Sequence, residues 1–343
     1  MTWKTLAAAA AFALAALPAS AQTYDMKIAT FVTGAHGMSK WIDQWAADLT
    51  EQSEGRLQFE ILHGAQMGPP PVYYDLARNG QADIVWHLHG ATPGRFELTE
   101  ISNMPFLFCS AEQATMVLND PSLRADYLDA EHRGVKVLAL FMHPPGQINS
   151  NAGPILTLDD MKGKGLRPAS SAVAKFIAAM GGTPVGLPPT EMAEALQKGT
   201  IQGALIDYGG AGLAFGLAPH LTDVTEVYSY TSSFMLGMNP DSFAGLPEDL
   251  QSMLTASLDG ASAEIGQVWD GMDSIGKKVL MDAGVTIHKL DADQRAALVE
   301  VGNSVTDGYV AELEAAGKPG AAVLAQMRQL AEDVGPVGPG CQD

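Results

Sequence analysis

Strand and helix signals alternate over residues 158–203, and this run constrains the fold more than any other part of the chain. Its first extended segment ends at Arg167, because Pro168 lacks the backbone N–H that a strand needs. Ser170 or Ser171 can then cap a helix whose apolar residues follow a period of 3.6. The run predicts an α/β unit with Arg167 at the carboxyl end of a strand, where such sheets usually bind ligands.

The same alternation continues along most of the chain. Thr190 is expected to cap a second helix, with Glu191 in its first turn. The pattern over 247–283 predicts one helix of about 50 Å at 1.5 Å per residue, long enough to span two lobes. The other predicted elements are helices at 39–54, 69–80, after 110 and at 123–130, and extended segments at 27–31, 57–61, 82–87, 135–142 and 224–238. Together they predict an α/β fold with a largely parallel sheet.

The first 21 residues have the pattern of a secretory signal peptide. Lys4 supplies the positive charge, 6–17 the short apolar core, and 19–21 an A-x-A cleavage site before Gln22. The apolar core is shorter than the ~20 residues that a membrane-spanning helix needs. We therefore expect a periplasmic protein that begins at Gln22 after cleavage.

The chain is strongly acidic, with 39 Asp and Glu against 20 Lys and Arg and a formal net charge of -19. Such a surface argues against nucleic acid and anionic membranes as partners. An anionic ligand must be bound against this field, so a local cation such as Arg167 gains weight as a binding group. Its planar guanidinium can hold both oxygens of a carboxylate, whereas lysine presents a point charge.

The chain resembles the solute-binding proteins of TRAP (tripartite ATP-independent periplasmic) transporters, of the DctP type. The segments that carry the resemblance are 160–163 (DMKG), 165–167 (GLR), 181–185 (GGTPV), 191–203, 55–68, 76–84, 104–108 and 238–251. The resemblance implies a two-lobed periplasmic binding protein fold with a lobe-spanning long helix. It also implies a receptor, not an enzyme, that binds an organic carboxylate through Arg167, needs no cofactor, and delivers the ligand to a membrane permease.

The chain departs from the family pattern near the expected cleft. Where some members carry a second arginine it reads HPPGQ (143–147), and where some carry an asparagine it reads QGALIDY (202–208). One cation in an apolar and aromatic surround favours a monocarboxylate with an apolar or aromatic body over a small diacid. The candidate ligand-binding residues are Arg167, Gln147, Trp86, His87, Tyr208, His36 and Phe31.

Length predicts two lobes, since about 320 mature residues exceed what one core usually organises. We expect crossing strands near 142–150 and 234–239 and closure by hinge bending. Cys109 and Cys341 can form a disulfide in an oxidising compartment. The expected lobes are 22–145 with about 237–265 (lobe I) and 146–236 with about 266–333 (lobe II), followed by an irregular tail at 334–343.

Two hypotheses from other classes stay open. Ser274 and Lys277 fit the S-x-x-K spacing of penicillin-binding hydrolases, although neither S-D-N nor K-T-G occurs. His87 and His89 share one face of a predicted strand, and with His36 or His63 they could bind zinc. A hydrolase assay and metal analysis distinguish these hypotheses from the receptor.

Overall fold

The computed structural model describes residues 22–337, which form two β-sheets with helices packed around them. The expected signal peptide and Cys341 lie outside these residues. The strands are β1 Tyr24–Ala29, β2 Leu57–Leu62, β3 Ile84–Leu88, β4 Lys136–Met142, β5 Gln147–Ser150, β6 Gly165–Arg167, β7 Thr183–Pro184, β8 Gly203–Ile206, β9 Asp223–Glu226, β10 Ser233–Met238 and β11 Thr286–Lys289. The helices are α1 Gly37–Gln52, α2 Tyr73–Arg78, α3 Ala111–Leu118, α4 Pro121–Leu123, α5 Ser171–Ala179, α6 Met192–Gln197, α7 Pro240–Ala244, α8 Glu248–Ala256, α9 Ala261–Asp282, α10 Ala292–Ala315 and α11 Gly320–Val334.

Each sheet contains one antiparallel strand among parallel ones. The first sheet has the order β2-β1-β3-β10-β4, and β10 runs antiparallel to both of its neighbours. The second has the order β11-β9-β5-β8-β6-β7, and β5 is the antiparallel strand. Each of these strands enters its sheet directly from a strand of the other one. The predicted two-lobed α/β fold is therefore confirmed.

The chain crosses between the sheets at 143–146 and again at 227–232. These segments run side by side, with the Gly146 N–H donating to the Tyr230 carbonyl at 2.6 Å and the Ser229 N–H donating to the Gly146 carbonyl at 3.1 Å. The expected crossing strand at 234–239 is wrong, because β10 pairs with β3 and β4 over its whole length. The crossing precedes that strand.

The predicted single helix over 247–283 is interrupted. It is divided into α8 and α9 by residues 257–260, and Gly260 adopts a left-handed conformation with a φ of 76°. At 1.5 Å per residue, α9 is about 33 Å long rather than 50 Å. It still joins the two lobes, since Trp269 packs in the core of the first sheet and Leu280 in a core of the second.

Local signals decide the ends of the helices in the 158–203 run. Ser170 caps α5 as expected, accepting a hydrogen bond from the Val173 N–H at 3.4 Å. The expected cap by Thr190 is wrong: the turn Pro189–Glu191 precedes α6, and no side chain caps that helix. Proline at the first position fixes φ at a helical value, so the turn starts before Thr190.

The last two helices return the chain to the first lobe. Leu298 of α10 packs with the second sheet, whereas Leu313 packs in the core of the first. Met327 of α11 also belongs to the first core, in which α11 contacts α3. The lobe boundaries stay a prediction, and this packing favours assigning α11 to lobe I. None of the helices in the described part of the chain is long and apolar enough to cross a membrane.

Two glycines of α9 provide a test of how this helix is held. A Cβ at Gly276 would overlap the Tyr208 carbonyl oxygen and lie 2.8 Å from the Cα of Gly209, whereas one at Gly271 would meet nothing within 4 Å. We expect Gly276→Ala to lower the free energy of unfolding by about 1–3 kcal/mol through overpacking. Gly271→Ala, the matched control, should raise it by up to ~1 kcal/mol. Urea unfolding measures the stability of both variants. Equal unfolding midpoints for Gly276→Ala and Gly271→Ala would contradict the close packing at Gly276.

Candidate ligand-binding cleft

A cavity with an empty volume of about 440 Å³ lies between the two lobes. It sits at the carboxyl ends of β1, β3, β6 and β8, the edge where open α/β sheets bind ligands. The first sheet and the helices packed on it contribute mainly aromatic side chains, whereas Arg167 and Asp207 come from the second sheet. The lining includes Phe31, His36, Trp86, Phe234 and Trp269, together with His143, Arg167, Asp207, Tyr230 and Ser232.

Arg167 is the last residue of β6 and is only 4% exposed. Its Nε donates to the Leu187 carbonyl at 3.3 Å, and no carboxylate within the described residues forms an ion pair with it. Burial lowers the pKa of Arg167 to about 10, while Tyr230 and Asp207 act in the opposite direction. The guanidinium therefore keeps its charge at neutral pH, and its other N–H groups are available to a ligand.

The aromatic wall is organised around Trp86 of β3. Its ring lies 5.2 Å from those of Phe31 and His36, and 5.9 Å from that of Trp269 at 90°. Phe234 stacks on Trp269 with centroids 5.2 Å apart. Edge and offset contacts of this kind favour a further aromatic ring placed among them.

His36 is part of this wall and also caps a helix. Its Nδ1 accepts the Met38 N–H at 3.1 Å at the start of α1, so in the neutral ring Nε2 carries the proton. Burial lowers the pKa of His36 to about 3. The ring is therefore neutral at physiological pH and adds no second positive charge to the cleft.

Several buried polar atoms of the lining have no hydrogen-bond partner among residues 22–337. They are Trp86 Nε1, Trp269 Nε1, the Tyr230 hydroxyl and Ser232 Oγ. Most buried polar groups in proteins are hydrogen-bonded, and each exception needs an explanation such as strain, a functional role, or a bound water or ion. These four atoms are polar groups of lining residues that the described protein leaves without a partner.

A second charged group, Asp207, follows β8 and is 3% exposed. Its Oδ2 accepts the Gly210 N–H at 2.8 Å, and its Oδ1 lies 3.8 Å from Nδ1 of His143. Burial lowers the pKa of His143, although the Asp207 carboxylate opposes this shift. Nearby Asp273, outside the lining, has its pKa raised to about 8 by burial and by Asp207.

In this structure the lobes are closed over Arg167. The turn at Gly90, after β3, lies against lobe II so tightly that a Cβ there would overlap the Ala169 carbonyl oxygen. Glu100 of lobe I accepts a hydrogen bond from the Ser171 hydroxyl at the start of α5. A second cavity of about 940 Å³ adjoins Arg167 beside Gly90 and forms the mouth of the cleft.

Three of the seven expected site residues do not line the cavity. Gln147 accepts the Val227 N–H at 2.9 Å and so links the two crossing segments. His87 points to the other face of β3 from Trp86, with its ring 5.7 Å from that of Phe96. The Tyr208 hydroxyl donates to the Glu226 carboxylate at 3.0 Å. The cavity lining contains the other four expected residues, Arg167, Trp86, His36 and Phe31.

The described residues contain no cluster of metal ligands that would support the zinc hypothesis. Within residues 22–337 there is no group of three or more His, Cys, Asp or Glu that could hold a metal. His89 Nε2 lies 3.0 Å from His132 Nε2, His63 pairs with Asp43, and His36 lies in the aromatic wall.

The two residues of the hydrolase hypothesis, Ser274 and Lys277, lie outside the cleft lining. The Lys277 amine forms an ion pair with the buried Glu226. Ser274 is exposed on the outer face of α9.

Sequence reasoning missed Trp269, Phe234, Tyr230 and His143 as lining residues. The first lies inside a helix, where an aromatic residue at helical spacing is usually core. The others belong to or border the crossing segments, and no local sequence signal shows that their side chains line the cleft. The proline pair after His143 was the one available hint, since it ends β4 at the cleft.

Comparison with known proteins places the chain among exported receptors. The model of the family "Bacterial extracellular solute-binding protein, family 7" (DctP) matches residues 28–313. The 2,3-diketo-L-gulonate-binding periplasmic protein YiaO of Escherichia coli K12 is 25% identical over 279 residues, which cover 77% of this chain and 80% of that protein.

Two solved structures are similar over nearly their whole length. A marine metagenome TRAP solute-binding protein specific for aromatic acid ligands, in complex with 3-hydroxybenzoate, is 28% identical with a TM-score of 0.86, covering 91% of this chain and 99% of that one. A TRAP solute-binding protein from Rhodoferax ferrireducens T118, with copurified benzoate, is 27% identical with a TM-score of 0.85, covering 91% and 98%.

Proposed function

Because the chain belongs to the DctP family of bacterial extracellular solute-binding proteins, we propose that it is a TRAP receptor whose ligand is a monocarboxylate with an aromatic body. The cleft is built for one carboxylate and one ring. Arg167 holds the carboxylate at the end of β6, and the rings around Trp86 hold the apolar part.

The observation that carries this proposal is the pairing of one cation with an aromatic wall. Arg167 is the one Lys or Arg in the described lining, which suits one carboxylate and gives a second no matching charge. Phe31 and Phe234 offer no hydrogen bonds, so their part of the cavity favours an apolar body over a hydroxylated one. The aromatic ligands of the two similar structures support the same assignment.

Thermal unfolding with a small ligand panel tests the proposal. Benzoate, phenylacetate and 3-hydroxybenzoate are compared with succinate and glucuronate, and benzamide serves as the uncharged match of benzoate. A ligand at 100 times its Kd stabilises the folded state by about 2.7 kcal/mol, which raises the midpoint measurably. We expect at least one aromatic acid, but not benzamide, to do so. A shift with glucuronate and none with any aromatic acid would overturn the assignment.

We also propose that the receptor works in the periplasm after cleavage behind Ala21 and docks, when loaded, on the membrane permease of its transporter. The A-x-A pattern and the exported family support this step. The intact mass of the exported protein should correspond to a chain that starts at Gln22. A mass that includes residues 1–21 would contradict cleavage.

A further inference from the structure

We propose that the ligand carries, close to its carboxylate, a hydrogen-bond donor in the form of a hydroxyl or ammonium group, and that Asp207 selects for it. This inference rests on the proposed function, since it takes the carboxylate on Arg167 as given. It adds a second recognition element to the cleft: an acceptor that distinguishes among aromatic acids of the same skeleton.

The position of Asp207 follows from the sheet. β6 and β8 are parallel neighbours with Arg167 opposite Ala204, so Arg167 and Asp207 emerge at the same edge of the second sheet. Asp207 lies three residues beyond Ala204, and its carboxylate opposes the lowering of the Arg167 pKa, so the two charges are close enough to interact. We therefore place the ligand's donor near its carboxylate, between the two charged groups that line the same cavity.

One oxygen of Asp207 is not used by the described protein. Oδ2 accepts the Gly210 N–H, but the 3.8 Å from Oδ1 to His143 Nδ1 is too long for a hydrogen bond. His143 Nδ1 lies 2.5 Å from the Pro144 carbonyl oxygen and donates there instead. In the neutral ring His143 Nε2 is then also an acceptor, beside Asp207 in the same lining.

Charge balance points the same way. The closed cleft holds one guanidinium, Arg167, and one carboxylate, Asp207, both almost fully buried. A plain monoanion would leave two negative groups sharing one cation in a poorly hydrated site, which is costly. A ligand hydroxyl relieves this by a hydrogen bond to the carboxylate, and a ligand ammonium relieves it by neutralising the added charge.

Calorimetry with matched ligands tests the inference. Phenylacetate, mandelate and phenylglycine share one skeleton and carry no donor, a hydroxyl or an ammonium on the carbon next to the carboxylate. We expect the wild-type protein to bind mandelate or phenylglycine at least tenfold more tightly than phenylacetate. Whichever of the two binds better identifies the donor. Equal affinities, or a preference for phenylacetate, would overturn the inference.

Asp207→Asn is the informative variant. The Gly210 N–H needs an acceptor, so the asparagine carbonyl should take that place and turn its NH₂ toward the cavity, replacing an acceptor with a donor. The preference over phenylacetate should shrink to threefold or less, while phenylacetate itself binds as well as before or better. Asp273→Asn, which removes a neighbouring carboxyl outside the lining, should keep the wild-type preference.

The outcomes separate the two proposals. If aromatic acids bind but Asp207→Asn keeps the full preference, the role of Asp207 is wrong and the proposed function stands. If no aromatic acid binds the wild-type protein, the proposed function fails and this inference with it. Should the variant not fold, the wild-type ligand comparison alone still decides, because equal affinities contradict a selective acceptor.

Discussion

Arg167→Ala is expected to weaken the binding of an aromatic carboxylate by about 30-fold or more. The change leaves the ligand charge in a closed cleft without a cation, and truncating one partner of such a buried pair costs roughly 2–5 kcal/mol. The unliganded fold should be little affected, because the guanidinium makes one hydrogen bond, to Leu187, within the described protein. Calorimetry gives the affinity, and thermal unfolding without ligand checks the fold.

Two further variants sharpen this result. Arg167→Lys should recover only part of the affinity, because an ammonium cannot hold both carboxylate oxygens. Arg124→Ala removes an arginine that pairs with Asp129 outside the cavity lining, and it should bind like the wild type. If Arg167→Ala binds the ligand within about threefold of the wild type, a difference of ~0.65 kcal/mol, then Arg167 does not bind the carboxylate as proposed.

Gly90→Val should have the second largest effect, by holding the cleft open. A Cβ at this position would overlap the Ala169 carbonyl oxygen and lie 2.9 Å from the Ser170 Cβ, so the lobes cannot approach as closely as they do here. Ligand affinity depends on the fraction of closed protein, and we expect it to fall about tenfold or more. Small-angle scattering should show that saturating ligand contracts the wild type but not the variant.

Gly186→Val is the matched control for this experiment. Gly186 lines the same mouth of the cleft on the opposite side, and a Cβ there would meet nothing within 4 Å. It should bind and contract like the wild type. A normal contraction of Gly90→Val would show that closure does not depend on this contact.

The fold was predictable where local signals and burial agree. Ser170 caps α5, and the strand that ends at Arg167 lies where Pro168 indicated. The break before α9 was not predictable, because the sequence offers several glycines and only tertiary packing shows which one leaves the helix. Gly260 takes the left-handed conformation, whereas Gly276 stays helical against the backbone of Tyr208.

Site residues could be predicted where the local sequence pattern alone locates them at the cleft. Arg167 and Trp86 belong to strands that reach the cleft, and the pattern of those strands locates them. Gln147 and Tyr208 looked similar, but the chain uses their polar groups internally, on Val227 and Glu226. Trp269 comes from α9, and only the assembled fold brings this helix to the cleft.

The crossing segments have a consequence for the order of binding events. His143 and Tyr230 line the cavity and also belong to the two hydrogen-bonded connections about which we expect the lobes to turn. Atoms on a rotation axis move little, so we expect ligand contacts with these residues to exist in the open and the closed protein alike. Such contacts strengthen the first encounter but do not favour closure, because they stabilise both states equally. Closure is favoured by contacts far from the axis, because these form only in the closed protein. The distance of a ligand contact from the crossing segments therefore indicates whether the contact supports initial binding or closure.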